Sequence, residues 1–257
     1  MKITCVIPAR YASSRLPGKP LAEIAGSPMI EWVYRRASKV REFSKVLVAT
    51  DDHRIKEAVE RFGGTAVLTP EDLASGTDRV AFVAGMQEGE IFVNLQGDEP
   101  LVEPGVLRTL LDPFSDNTVQ MTTPVSVIED PSDLTDPNKA RVVCDRNGDA
   151  LYFSRAAIPY CRDVKNFNAW PVEHNYYKHI GIYAYRRDFL LMISGLPVGE
   201  LEAAEKLEQL RVLEHGYRIR TVITTYRARS VDTPEDLRRL NSDVKANNIT
   251  MDTFYEH

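Results

Sequence analysis

Four apolar runs in the first hundred residues, separated by stretches of helical periodicity, fix the class of fold open to this chain. Ile3 to Pro8 is apolar enough throughout to be buried on both faces, as central parallel strands are. Pro28 to Val40 then carries Met29, Ile30, Val33 and Tyr34 at helical spacing, and Lys45 to Asp51 follows as a second strand ending in Ala49-Thr50-Asp51. Asp51 or Asp52 caps the next helix, through Phe62, and Gly63-Gly64 stops it. A third strand, Thr65 to Thr69, leads to Ser75-Gly76-Thr77-Asp78-Arg79, which reads as a loop entering a helix. The fourth, Glu90 to Leu95, ends in Gln96-Gly97-Asp98-Glu99-Pro100. This alternation predicts an α/β fold with an open, mostly parallel sheet wrapped by helices on both faces. Ligands of such sheets sit beyond the carboxyl ends of the strands.

The polar motifs fall at those ends. After the first strand come Arg10, Arg15 and Lys19, interleaved with Ser13, Ser14, Pro17, Gly18 and Pro20, so neither helix nor strand accounts for them. A solvated basic turn is one reading and a polyphosphate cradle the other. An exposed ion pair contributes only about 0–1 kcal/mol, so stability alone gives weak reason to gather these cations, whereas a polyphosphate gives a strong one. Ser75-Gly76, and Gln96 with Asp98, also follow strand ends and would face the same crevice. Asp98 and Asp232 each follow a predicted strand and together make an oxygen donor pair for a hard divalent cation. Singly, Asp98 also fits a polar turn, and Asp232 fits helix-end electrostatics beside Thr233.

Other chemistries lack their signatures. No Walker-type loop and no glycine-rich dinucleotide fingerprint follows the first strand, which argues against a P-loop hydrolase and a dehydrogenase. The five histidines show no paired metal spacing; His179, alternating with apolar neighbours, reads as a core or cleft-lining imidazole. Ser75 and Ser154 lack a nucleophile elbow. A formal net charge of −5 argues against a general nucleic-acid surface. Cys5, Cys144 and Cys161 are odd in number and scattered, which fits reduced thiols and a cytoplasmic setting. A strand directly after Met1-Lys2 and the lack of any long apolar run predict neither signal peptide nor membrane span.

From Gln120 the pattern changes to strands without intervening helices: Gln120 to Val127, Lys139 to Cys144, and Asp149 to Ser154, the last two joined by the hairpin signal Asn147-Gly148. Arg155 follows the hairpin, and Tyr160 to Asn175 reads as a long irregular segment. Tyr177 to Tyr185 is predicted as one strand carrying His179, Tyr183 and Tyr185. Leu201 to His215 is predicted as one amphipathic helix ended by Gly216, with Glu208 and Gln209 beside its apolar stripe. Arg218 to Thr225 returns as a strand, and Thr233 with Pro234 opens a final helix. From Asn241 the chain is polar and is expected to fray towards His257. At 257 residues there is room for one large domain with an insertion. The expected division is a core of 1–119 with 201–257 and an inserted subdomain of 120–200.

These residues carry a resemblance. The opening Ile7-Pro8-Ala9-Arg10-Tyr11-Ala12-Ser13-Ser14-Arg15-Leu16-Pro17-Gly18-Lys19-Pro20-Leu21 resembles the start of the 3-deoxy-manno-octulosonate (Kdo) cytidylyltransferase family. Similar blocks recur in order: Ala49-Thr50-Asp51, Ser75 to Arg79, Asn94 to Pro100, Leu151 to Ala156, Lys178 to Tyr183, Leu207 to Arg211, and Val231 to Asp236. Tyr160 to Tyr177 and the tail from Asn241 depart from the pattern. The resemblance implies an open, mostly parallel Rossmann-like nucleotidyltransferase sheet with a smaller mixed β-rich insertion. It implies a magnesium-dependent homodimer that transfers CMP from CTP to the anomeric hydroxyl of Kdo, releases pyrophosphate and serves lipopolysaccharide biosynthesis. The 8-amino analogue of the sugar is the same-chemistry alternative, and a non-catalytic nucleotide-binding protein the different one.

Carried over by motif, Pro8, Ala9, Arg10, Ser75, Gly76, Arg79 and Gln96 would hold cytidine and its phosphates, with Arg15 and Lys19 on the triphosphate. Asp98 and Asp232 would hold magnesium, and with Arg10 and Lys19 form the catalytic set. Arg155, His179, Tyr183, Glu208 and Gln209 would bind the sugar acid, Arg155 through its carboxylate. No covalent enzyme intermediate and no essential histidine base is expected.

Overall fold

The computed structural model of the chain describes residues 1–13 and 15–254. Ser14 of the basic loop, and residues 255–257 at the end of the tail expected to fray, lie outside the described residues. The chain divides into two compact units, residues 1–108, 184–194 and 228–257 in the first, and 109–183 with 195–227 in the second.

In the first unit, β1 (Ile3–Ala9), β4 (Phe43–Thr50), β5 (Ala66–Leu68) and β6 (Ile91–Asn94) are parallel, in the order β5-β4-β1-β6. Central β1 is buried on both faces, with Cys5, Val6 and Ile7 inaccessible, as its unbroken apolar run demands. A short hairpin, β2 (Glu23–Ile24) with β3 (Ser27–Pro28), precedes α1 (Met29–Ala37). The other helices are α2 (His53–Arg61), α3 (Gly76–Met86), α4 (Pro104–Thr109), α6 (Arg187–Ser194) and α9 (Pro234–Ala246). Their starts are chemically marked. Asp52 accepts from the Arg54 amide, while Ser75 with Asp78 and Thr233 with Asp236 form reciprocal capping boxes.

The second unit holds β7 (Met121–Val127), β8 (Arg141–Cys144), β9 (Ala150–Ser154), β10 (Tyr177–His179) and β12 (Arg220–Thr224). Strands β7, β10, β8 and β9 follow one another antiparallel, and β12 joins β7 in parallel. Its helices α5 (Trp170–Glu173), α7 (Glu200–Glu205) and α8 (Gln209–Glu214) are all short.

Besides the tail, which from Asn241 continues α9 to Ala246 and buries Ile249 instead of fraying there, three expectations differ from these elements. The strand predicted over Tyr177 to Tyr185 is two, because the chain turns at Ile180-Gly181-Ile182, where the Ile182 amide donates to the Ile180 carbonyl at 2.7 Å, before β11 (Tyr183–Arg186). The helix predicted over Leu201 to His215 is also two, broken where Lys206 takes a left-handed φ of 54°. The unit boundaries differ from 1–119 with 201–257 against 120–200: α6 packs on α3 in the first unit, while β12 pairs with β7 and α8 packs on β9 in the second. Among the described residues no helix is long and apolar enough to cross a membrane.

Candidate active site

The ends of β1 and β6 open into a cavity of about 300 Å³ in the first unit. Pro8, Ala9, Arg10 and Ala12 form one side, Ser13, Arg15, Lys19 and Pro20 continue it, and Gln96, Gly97 and Asp98 close it from β6. The basic loop is folded back on itself: the Gly18 amide donates to the Tyr11 carbonyl at 3.0 Å. Gly18 has φ +68°, and a Cβ there would lie 3.2 Å from the Tyr11 ring, so backbone and space both call for glycine. Lys19 follows on a one-turn 3-10 helix, Lys19–Leu21. Gly76, at the start of α3, lies against Pro8 and Gln96: a Cβ there would meet them at 3.4 and 3.6 Å. Thus Pro8, Gly76 and Gln96, distant in sequence, share one place.

The electrostatic centre is Lys19, whose Nζ donates to Asp98 Oδ2 at 2.7 Å and to Asp232 Oδ1 at 2.9 Å. Burial works against its charge, but Asp98 and then Asp232 outweigh that penalty, so its pKa is raised. Arg15 Nη2 also reaches Asp232 Oδ1, at 3.1 Å. The two carboxylates are tied through the main chain as well, because the Val231 amide donates to the Asp98 carbonyl at 3.0 Å. Two carboxylates on one ammonium are the charge pattern that suits a hard divalent cation. Among the described residues no cluster of three or more His, Cys, Asp or Glu is placed to hold a metal, so a cation here would draw its remaining oxygens from a phosphate ligand. Arg10 Nη2 is buried without a hydrogen-bond partner, a donor that an anion would satisfy.

Arg79 is placed differently from its neighbours in the motif. It does not line the cavity, is inaccessible, and donates to Asp51 Oδ2 at 2.8 Å and to Thr69 Oγ1. Burial lowers its pKa, Asp51 opposes that, and Arg10 adds to it. Its geometry is that of a brace behind Thr69 and Asp51.

In the second unit His179, Tyr183 and Gln209 come together. The rings of His179 and Tyr183 have centroids 5.4 Å apart, and the Tyr183 hydroxyl donates to Gln209 Oε1 at 3.2 Å. The Gln209 amide nitrogen is buried with no partner. Thr123, which no sequence pattern marks, organises the group. Its hydroxyl donates to the Ile182 carbonyl at 2.8 Å and therefore accepts from His179 Nε2, 2.9 Å away, which places a ring proton on Nε2. Burial takes the His179 pKa down to about 3. Arg155, in the same unit, is held by main-chain carbonyls: Nε donates to the Glu205 carbonyl at 2.8 Å, Nη1 to the Pro137 carbonyl at 2.7 Å and Nη2 to the Lys206 carbonyl at 3.4 Å. Tyr183 and Glu208 interact electrostatically, Glu208 adding to the upward shift that burial gives the phenol.

The His179 environment predicts a pH dependence of stability. The unfolded imidazole takes up a proton near its usual pKa of about 6.5, whereas the folded one refuses it until about 3. The unfolded state therefore binds more protons in that window. Stability is full above about pH 6.5 and falls by up to about 1.4 kcal/mol per pH unit below it. Urea unfolding at pH 7 and pH 5 should show this loss, reduced in His179→Gln; an unchanged pH slope in the variant would assign it elsewhere.

Comparison with known proteins gives this geometry its context. The cytidylyltransferase family profile matches residues 4–219. An 8-amino-3,8-dideoxy-manno-octulosonate cytidylyltransferase of Shewanella pealeana is 50% identical over 243 residues, covering 93% of this chain and 96% of the relative. A 3-deoxy-manno-octulosonate cytidylyltransferase of Solibacter usitatus is 49% identical over 246 residues, covering 95% of each. The solved structure of a CMP:2-keto-3-deoxy-manno-octonic acid synthetase complexed with CTP superposes with a TM-score of 0.90 at 44% identity, over 97% of this chain and all of that one. Similarity of sequence and of backbone along nearly the whole length places this chain in the cytidylyltransferase family.

Proposed function

We propose that the chain transfers CMP from CTP to the anomeric hydroxyl of 3-deoxy-manno-octulosonate, releasing pyrophosphate, for lipopolysaccharide biosynthesis in the cytoplasm. The observation that carries this is the convergence of Lys19, Asp98 and Asp232 beside a cavity walled by Arg10 and Arg15, in a chain whose relatives are sugar-acid cytidylyltransferases. Nucleotidyl transfer asks a protein chiefly for positioning and charge stabilisation. Pro8, Ala9, Ser75, Gly76 and Gln96 hold the cytidine end; Arg10, Arg15 and Lys19 neutralise the triphosphate and the departing pyrophosphate. Asp98 and Asp232 would hold magnesium, which when bound neutralises phosphate oxygens and acidifies a coordinated hydroxyl. Lys19 keeps those carboxylates compensated until ligand arrives. His179 stays neutral and orients rather than acting as a base. The resemblance also supports a homodimer, which sedimentation of the purified chain would test.

Sugar choice has a second reading, favoured by the 8-amino-type relative at 50% identity. Pyrophosphate release should be followed with CTP, magnesium and either Kdo or its 8-amino analogue. Faster turnover of one sugar assigns the substrate, and CTP binding with no release by either would leave a non-catalytic nucleotide-binding protein. Arg155 retains guanidinium protons beyond the three it gives to carbonyls, and these would take the sugar carboxylate. Losing such a charge-assisted bond costs about 1.5–3 kcal/mol. Arg155→Ala should raise KM for the sugar acid roughly 10- to 100-fold with KM for CTP unchanged; unaltered sugar kinetics would remove Arg155 from the site.

A further inference from the structure

Beyond Lys19 and the Val231–Asp98 main-chain bond, the backbone that carries the two carboxylates is held from elsewhere in the unit. Asp98 lies on the short loop Gln96 to Pro100, where the Glu99 amide donates to the Gln96 carbonyl and the Val102 amide to the Glu99 carbonyl. The end of that loop is gripped from α1. Arg36, only 1% exposed, donates through Nε to the Val102 carbonyl at 2.7 Å and through Nη2 to the Leu101 carbonyl at 3.3 Å. Its remaining nitrogen turns to the C-terminal tail: Nη1 donates to the Thr253 carbonyl at 2.7 Å, and the Phe254 ring covers the guanidinium at 4.6 Å. Lys39, one turn on, pairs with Asp252 at 2.5 Å.

The same tail packs where both carboxylates originate. Ile249 of the tail, with Val244 of α9, shares one buried cluster with Leu101, three residues after Asp98, and with Val231, immediately before Asp232. Val231 in turn is the residue whose amide donates to the Asp98 carbonyl. A buried guanidinium joining five carbonyls of two segments is more than a helix residue needs for packing, since each charge-assisted bond fixes a backbone position. Carbonyl-bound arginines of this kind do for a loop what outer-shell partners do for metal ligands, setting where the ligand atoms stand.

We infer that Arg36, clasped by residues 249–254, is a positioning residue that sets the separation of Asp98 and Asp232 and so tunes their affinity for a divalent cation. This rests on the metal-holding role proposed above for the two carboxylates. Arg36 touches no reacting atom in this reading; it acts through Leu101 and Val102 on one carboxylate and, through Val231, on the other.

The test uses two full-length variants, Arg36→Lys and the milder Phe254→Ala, which leaves Arg36 in place should the first fold poorly. Amide hydrogen exchange, read without any ligand, should rise about tenfold at Val231 and across 97–102. The magnesium concentration for half-maximal pyrophosphate release should rise about tenfold, while metal-free CTP binding stays as in the unaltered chain. Faster exchange confined to 248–254, with Val231 and the magnesium response unchanged in both variants, overturns the inference. An Asp98→Ala protein that keeps the original magnesium response would sink the metal assignment itself. In that outcome the exchange at Val231 still decides whether Arg36 positions the loop.

Discussion

Asp98→Ala should abolish CTP-dependent pyrophosphate release, with kcat down roughly 10³-fold, the scale of removing one preorganised group that stabilises transition-state charge. The expectation follows from geometry. Asp98 Oδ2 is one of two acidic oxygens held by Lys19, and its loop meets β1 so closely that a Cβ at Gly97 would lie 3.0 Å from the Pro8 carbonyl. On the function proposed above, a carboxylate so placed serves the ligands of the cavity rather than the fold. Its ion pair with Lys19 is partly solvated, at 27% and 16% side-chain exposure, so losing it should cost only about 1 kcal/mol of stability. A variant that melts near the original temperature and binds CTP but does not turn over supports a catalytic carboxylate. One that retains turnover shows that Asp98 merely compensates Lys19. Stopped assays with CTP and Kdo, beside thermal unfolding of the same preparation, distinguish them.

Much of this was readable in the chain because the informative residues act locally. The β1 run, the Asp52 cap, and the capping boxes of Ser75 and Thr233 are each decided within a few residues, and each is found where local chemistry puts it. The motifs at strand ends meet because parallel strands bring their carboxyl ends together. What escaped reading depends on distant partners. Nothing near Lys206 announces a break, and the apolar stripe continues through it; the break is supported from afar by Glu214, whose carboxylate accepts from the amides of Leu201 and Glu202. Thr123 sits in a run that reads simply as strand, and its value appears only once Ile182 and His179 fold against it. Arg36 looks like one more cation on the polar side of α1, yet it is buried, because its acceptors come from carbonyls that carry no sequence signature.

Arg79 shows the same limit, and gives the largest stability effect expected of a single change. Motif reading sets it with the cytidine-binding residues, whereas the structure encloses it with Asp51 and Thr69. Arg79→Met should destabilise the chain by about 3–5 kcal/mol, because it strands a carboxylate that is itself only 15% exposed. The sign reverses in part when both charges leave together. Arg79→Met with Asp51→Leu removes the uncompensated group, so the double variant should be more stable than Arg79→Met alone, the pattern expected of a buried pair that persists because it is satisfied rather than because it is intrinsically favourable. Urea unfolding of the two single variants and the double one measures this coupling. A direct ligand role predicts otherwise: Arg79→Met would fold with little loss, CTP binding would weaken sharply, and removing Asp51 would restore nothing. As a brace, by contrast, Arg79 influences CTP only through the backbone it holds, since Thr69 and Asp51 follow the ends of β5 and β4 as the basic loop follows β1. CTP affinity in the double variant should therefore recover along with its stability.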